Sequence, residues 1–327
     1  MTTRERTQAT LNFQKPDRVP KIEWAPWWDL TLDRWEAEGL PRDMSDLDRQ
    51  RLFGLEPLYV ASLWPYLPPA PAHGAGVIAT EADYDALKPS IFSDDGIRAA
   101  RENALRHKPL HDSGDIALRV WVDGFFWFPR RCFGIEPHLF AFYDQPDLMK
   151  RMIADLLEYN IKGIDAILEI LQPEFVGMAE DMSYNHGPML SKEIFDEFLL
   201  PSYVALCGHC HKRGLKVLVD TDGDVTTMIP WLIAGGADGV YPLERQAGVD
   251  LAEIRRRFPR FLMMGGYDKM VMSQGEAAMR AEFERLLPVI RSGGYIPSVD
   301  HQTPPEVSLE NYKIYLRLFE EFTHLPL

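Results

Sequence analysis

At 327 residues the chain is long for an ordinary domain and well suited to a single α/β barrel. Its formal net charge of −14 comes with no Lys/Arg-rich run, which argues against nucleic-acid and membrane-surface partners. No stretch approaches the ~18 consecutive apolar residues of a membrane span.

The opening, "MTTRERTQATLNFQKPDRVP", is polar and lacks the apolar core of a signal peptide. Cys132, Cys207 and Cys210 are too few for a disulfide framework, so the expected setting is reducing and cytoplasmic. After a short leading helix, "RVPKIEW" (18–24) reads as a first strand. "LWPYLPPAPAHGAG" (63–76) is too rich in Pro for a regular element and reads as an excursion over one mouth of a barrel, with room for a further strand within 55–80.

From about residue 112 the pattern alternates. Apolar runs at 116–124, 174–182, 215–220, 238–244, 260–266 and 293–300 are separated by helical patterns at 146–171, 191–213, 225–235, 250–257, 275–291 and 308–323. The runs are continuously apolar, as parallel strands buried on both faces should be. Six consecutive strand–helix units in this length favour a (β/α)₈ TIM barrel with an N-terminal helical and loop excursion, folded as one domain over 1–327. No G-x-G-x-x-G follows the first strand, which weakens a dinucleotide-binding sheet.

Nearly every predicted strand ends in an acid or a histidine: Glu23, Asp123, Glu180 and Asp181, Asp220 and Asp222, Glu244, Asp268, Asp300 and His301. In a barrel these ends share the face on which active sites are built. A ring of carboxylates there repels itself unless protonation, a metal ion or a cationic substrate offsets it. The plainer reading of any one acid is a cap on the following helix.

Two motifs are decoys. Asp220, Asp222 and Asp224 match positions 1, 3 and 5 of a calcium loop, but Val225 stands at the turn-glycine position and Trp231 where a bidentate Glu should close the site. "CGHCH" (207–211) has haem-attachment spacing but lies inside a strong helical pattern that ends at Gly214. Aromatic residues, in contrast, gather after strand ends, at 24–28 and 121–133, where they can wall a pocket. Trp24, Trp28, Trp121, Phe126 and Tyr241 are the candidate substrate contacts, and Arg130, with Arg131 beside it, is the candidate anion anchor.

The opening residues, together with "GGADGVYPLERQAGVDLAEIRRRFPRFLMMGGYDK" and "GGYIPSVDHQTPPEVSLENYKIYLRLFEEF", resemble the uroporphyrinogen decarboxylase superfamily, which holds decarboxylases and corrinoid-dependent methyltransferases. The resemblance implies a (β/α)₈ barrel with its site at the C-terminal mouth. The decarboxylases carry a run resembling "MRQAGRY", and the corresponding "EWAPWWDLTLDRWEAEGL" has no such cluster; an acid-lined rim is also the opposite of what an octacarboxylate needs. In the methyltransferases a His-x-Cys pair and a later Cys hold zinc. Their places fall at Asp220, Asp222 and about His301, a harder donor set suited to Zn²⁺, Fe²⁺ or Mn²⁺, with Glu180 as a further ligand. The resulting expectation is a methyltransferase-like enzyme acting on a small molecule, with Glu180, Asp181 and Asp222 as catalytic groups and a corrinoid carried by a partner protein. The alternatives are a carboxy-lyase and a non-catalytic binding barrel.

Overall fold

A computed structural model describes residues 1–324. Seven parallel strands form one sheet in sequence order: β1 Leu58–Leu63, β2 Ala117–Asp123, β3 Phe175–Ala179, β4 Lys216–Asp220, β5 Gly239–Tyr241, β6 Leu262–Tyr267 and β7 Tyr295–Val299. Each strand from β2 to β7 falls within one residue of an apolar run expected from the sequence, because a strand sandwiched between a barrel interior and outer helices has no polar face to show. Leu58, Ala117, Phe175, Leu218, Tyr241, Leu262, Met264 and Ile296 meet in one small buried cluster with Ile22 and Trp24. The larger cluster lies between the strands and the helices outside them. The sheet is thus curled around a shared interior.

The helices follow the sequence closely where an apolar stripe is long. Pro146–Leu168, Leu251–Arg257, Glu276–Arg291 and Leu309–Thr323 lie within a few residues of the expected bounds. The pattern at 191–213 runs from Lys192 to His211 through a π-helical turn, Phe195–Leu199. The expected helix at 225–235 is shorter, Ile229–Ala234, because turns at 223–228 precede it.

One expectation fails at the N-terminal third. Residues 18–24 are extended but join no ladder, and the strand sought within 55–80 is β1, at the free edge of the sheet. Pro20 cannot donate to a neighbour, and carboxylates replace the missing ladder on both sides. The Glu56 carboxylate accepts from Lys21 N–H at 2.8 Å, and Glu56 N–H donates to Lys21 O at 2.8 Å. On the other side, Glu23 accepts from Ser298 Oγ at 2.8 Å, from Val299 N–H at 3.3 Å and from the Tyr315 hydroxyl. Trp24 then donates its N–H to Ser298 Oγ and its indole N–H to Val299 O. The segment therefore occupies the sector between β7 and β1 by side-chain bonding, and the edge of β1 is met at Leu58 by the Gln50 amide instead of a strand.

Burial pushes the Glu23 carboxyl up to about 7, against hydrogen bonds from Tyr315, Ser298 and Val299 that pull it down. The folded chain then holds this proton more tightly than the unfolded one. The stability it contributes is complete below about pH 4.5 and is lost as the pH rises through about 7. Glu23→Gln, fixed neutral, is expected to lose less stability than the wild type between roughly pH 5 and pH 8 in urea unfolding, by up to about 3 kcal/mol.

Candidate functional site at the C-terminal mouth

The strand ends β3, β4, β5 and β7 bring four titratable side chains and two cations together. Asp181, Asp222 and Glu244 line a cavity of about 250 Å³ with Arg130 and Ser183. His301 Nε2 lies 3.6 Å from Asp222 Oδ2. Lys269 Nζ sits 3.4 Å from Glu244 and 3.5 Å from Asp300. Arg130 donates to the backbone O of Asp181 at 3.2 Å. The loops are held by local bonding: Glu244 accepts from Gly223 N–H at 2.9 Å, and Ser183 Oγ donates to Asp222 O at 2.6 Å. Gly223, at φ +78°, passes so close to Tyr184 that a Cβ would lie 2.3 Å from its carbonyl carbon. Asp181 also has positive φ, +42°, a conformation that Asp tolerates better than most residues.

Electrostatics at the mouth favour the protonated carboxyl. Burial and the charge of Asp222 push Asp181 up, with Arg130 and His301 opposing. Burial and Glu244 push Asp222 up, with Lys269 and Arg130 opposing. Asp220, deeper in the barrel, is raised by burial and by both of these acids, and Arg119 opposes. Burial and Lys269 lower His301. Both aspartates thus hold their protons to higher pH than a free aspartate does.

The remaining predicted residues separate. Glu180 is fully buried and takes the N–H groups of Phe125, Phe126 and Trp127 at 2.9, 2.7 and 3.2 Å, which ties down the turn before helix Trp127–Phe133. Asp268 accepts from the N–H of Met270, as a cap does, and Asp224 from the N–H of Thr226, each two residues on. Asp123 pairs with Arg131, which leaves Arg130 as the mouth arginine. Phe126 is buried against His138 and Phe142, and Trp28 is 40% exposed just before helix Asp29–Ala37. Trp24, Tyr241 and Trp121 do face the interior: Trp24 lies 5.1 Å from the Tyr241 ring and 6.1 Å from His301, and Trp121 lies 4.5 Å from the Arg119 guanidinium.

The expected metal set of Asp220, Asp222, His301 and Glu180 does not converge. Among the described residues no three His, Cys, Asp or Glu side chains are grouped to hold an ion. Glu180 is turned to backbone N–H groups, and Asp222 and His301 alone approach each other. The donors present therefore do not fit a tightly held metal. Cys207 and Cys210 are buried on helix Leu200–His211.

Two site residues escaped sequence reasoning. Lys269 directly follows the strand-end acid Asp268 in "GGYDK". Arg119 is the single cation in "IALRVWVDG", two places before Trp121 and so on the same face of β2. That spacing was the available signal.

Comparison with known proteins agrees with this architecture. The sequence profile of the family described as uroporphyrinogen decarboxylase (URO-D) matches residues 134–322, more than half of the chain. The chain belongs to that family. Within solved structures it is similar to a methyltransferase from Methanosarcina mazei, with a TM-score of 0.66 and 16% identity over 98% of this chain and 99% of that one, a likeness of fold. A search among curated proteins finds no match. No helix among the described residues is long and apolar enough to cross a membrane.

The Glu180 turn has a direct test. A Cβ on Gly124 would lie 2.2 Å from the Glu180 carboxyl carbon and 2.5 Å from Ala179 O. Gly124→Ala is expected to cost about 1–3 kcal/mol in urea unfolding. Glu180→Gln, which leaves one N–H facing an amide nitrogen, is expected to cost a similar ~1–3 kcal/mol.

Proposed function

We propose that this chain is an enzyme of the uroporphyrinogen decarboxylase family in which the Asp181–Asp222 pair acts as general acid at the C-terminal mouth. The observation that carries the reading is the pair itself: two carboxyls with raised proton affinity beside His301, Lys269 and Arg130, around a 250 Å³ cavity. A proton held in such a site can be given to an atom as it loses a substituent. Arg130 supplies positive charge to orient the substrate, and Lys269, paired with Glu244 and Asp300, offsets part of the repulsion that these acids exert on Asp222.

The leading reaction is removal of a methyl group from a small methylated substrate. A corrinoid on a partner protein would take the methyl group, and the aspartate pair would protonate the atom left behind. The acid-lined mouth supports this over a tetrapyrrole octacarboxylate, which would need several cations where the site offers Arg130 and Lys269. Arg130 favours a second reading, decarboxylation of a small acid, in which the same proton goes to the carbon that loses carbon dioxide.

Two assays separate these readings: methylation of reduced cobalamin supplied in solution by a panel of methoxylated and N-methylated compounds, and carbon dioxide release from small carboxylic acids. Methyl transfer is the expected result, and carbon dioxide release without methyl transfer would replace it with the second reading. Asp222→Asn and Asp181→Asn are expected to lower kcat by about 10²–10⁴. A general acid works while protonated, so wild-type kcat is expected to fall as the pH rises through the raised proton affinity of the pair. Full activity of both variants would overturn the assignment.

A further inference from the structure

Arg119 stands on β2 facing the barrel interior and is fully buried. Its Nη2 donates to Trp24 O at 3.2 Å, while Nε and Nη1 have no hydrogen-bond partner among the described residues. No carboxylate of the described residues lies within ion-pair distance of it, although the chain carries an excess of acids. Three aromatic faces surround it instead: Trp121 at 4.5 Å, Tyr241 at 5.5 Å and Trp24 at 6.0 Å from the guanidinium carbon. The Trp121 indole N–H and the Tyr241 hydroxyl are also buried without a partner. Aromatic faces soften the cost of burying a guanidinium but leave its in-plane donors unsatisfied, and an unmade charged hydrogen bond in an apolar surround is expensive.

These donors lie beside a cavity. A pocket of about 470 Å³ opens along the seam between residues 24–27 and the free edge of β1, with Arg119 and Trp121 among its lining residues. Its walls include Trp24, Trp27, Trp64 and Tyr59, the last stacked on His107. The volume falls in the range of about 300–1,000 Å³ typical of small-molecule sites. The pocket adjoins the acid mouth: Trp24, in its wall, lies 6.1 Å from the His301 ring.

We propose that the seam pocket binds a planar aromatic carboxylate, its ring between the tryptophans and its carboxylate on the Nη1–Nη2 edge of Arg119, where Nη1 has no partner and Nη2 makes one hydrogen bond. One guanidinium offers a two-pronged donor for one carboxylate. A phosphate dianion would need a second cation, and neither Lys nor a second Arg lines the pocket. The proposal rests on the reading of the mouth in one respect only: the bound acid is the substrate, anchored at Arg119 with its reacting end toward Asp181 and Asp222.

Binding can be measured without turnover. Benzoate and 2-naphthoate are titrated into the purified full chain by calorimetry, alongside benzamide, 2-naphthamide and phenyl phosphate. The expected result is binding of the carboxylates with at least about tenfold preference over their amides and over phenyl phosphate. Arg119→Met is expected to lose that preference and Arg119→Lys to keep part of it. Should Arg119→Met fail to fold, Ser62→Trp fills the pocket from the β1 wall and is expected to abolish carboxylate binding while leaving Arg119 in place. Equal affinity for acid and amide, no binding of either carboxylate, or undiminished binding by Arg119→Met or Ser62→Trp overturns the proposal, and preference for phenyl phosphate replaces its ligand class. Asp222→Asn is expected to bind benzoate as the wild type does. Tight binding with a fully active Asp222→Asn would leave the pocket standing while the acid–base reading of the mouth falls.

Discussion

The sector between β7 and β1 governs much of the rest of the molecule. A seven-stranded parallel sheet curled on itself leaves two edges, and edges expose backbone groups that must bond to something. Here the filler is residues 18–24, which contain Pro20 and cannot form a regular ladder. Glu56 and Glu23 reach across instead, one to Lys21 and the other to Ser298 and Val299. A carboxylate accepts two or more N–H and O–H donors where a strand would have met them one at a time, so two side chains serve in place of a strand. The pocket of about 470 Å³ opens along this sector.

The mouth meets a different demand. Several acids converge at the strand ends because parallel strands place all their C-terminal ends on one face. Some are absorbed locally: Glu180 by three N–H groups, Asp268 as a cap, Asp224 by the N–H of Thr226, Asp123 by Arg131. Those left facing the cavity are Asp181, Asp222 and Glu244, with Asp220 beneath them, and Lys269, Arg130, His301 and, for Asp220, Arg119 oppose them. With too few cations, protonation relieves the repulsion. The same circumstance that makes the cluster costly gives it a transferable proton.

Much of this was legible in the chain. The C-terminal strand–helix alternation could be read because buried parallel strands are apolar throughout and the longer helices carry clear stripes. The acids at the strand ends were readable as a set for the same reason. Which of them face the cavity was not: Glu180 and Asp181 are adjacent, yet a positive φ at Asp181 sends them to different tasks. The decoy at 220–224 dissolved on sequence grounds, but the metal set drawn from the resemblance did not assemble, since side-chain direction at a strand end depends on the following turn. Residues 18–24 misled for a simple reason: β-branched and aromatic residues favour extended backbone whether or not a ladder forms.

The sequence by itself determined the parallel α/β architecture, the common face on which the strand ends lie, and the chemical types gathered there, because these follow from periodicity and from the geometry of the strand–helix unit. Only the tertiary structure decided that the sector between β7 and β1 is bonded by side chains, that Asp181, Asp222 and His301 meet while Glu180 turns away, and that Arg119 is enclosed by Trp24, Trp121 and Tyr241. Those outcomes depend largely on contacts between residues far apart in the chain, up to 275 positions for Glu23 and Ser298, and on backbone angles at single loop residues, neither of which a local pattern encodes.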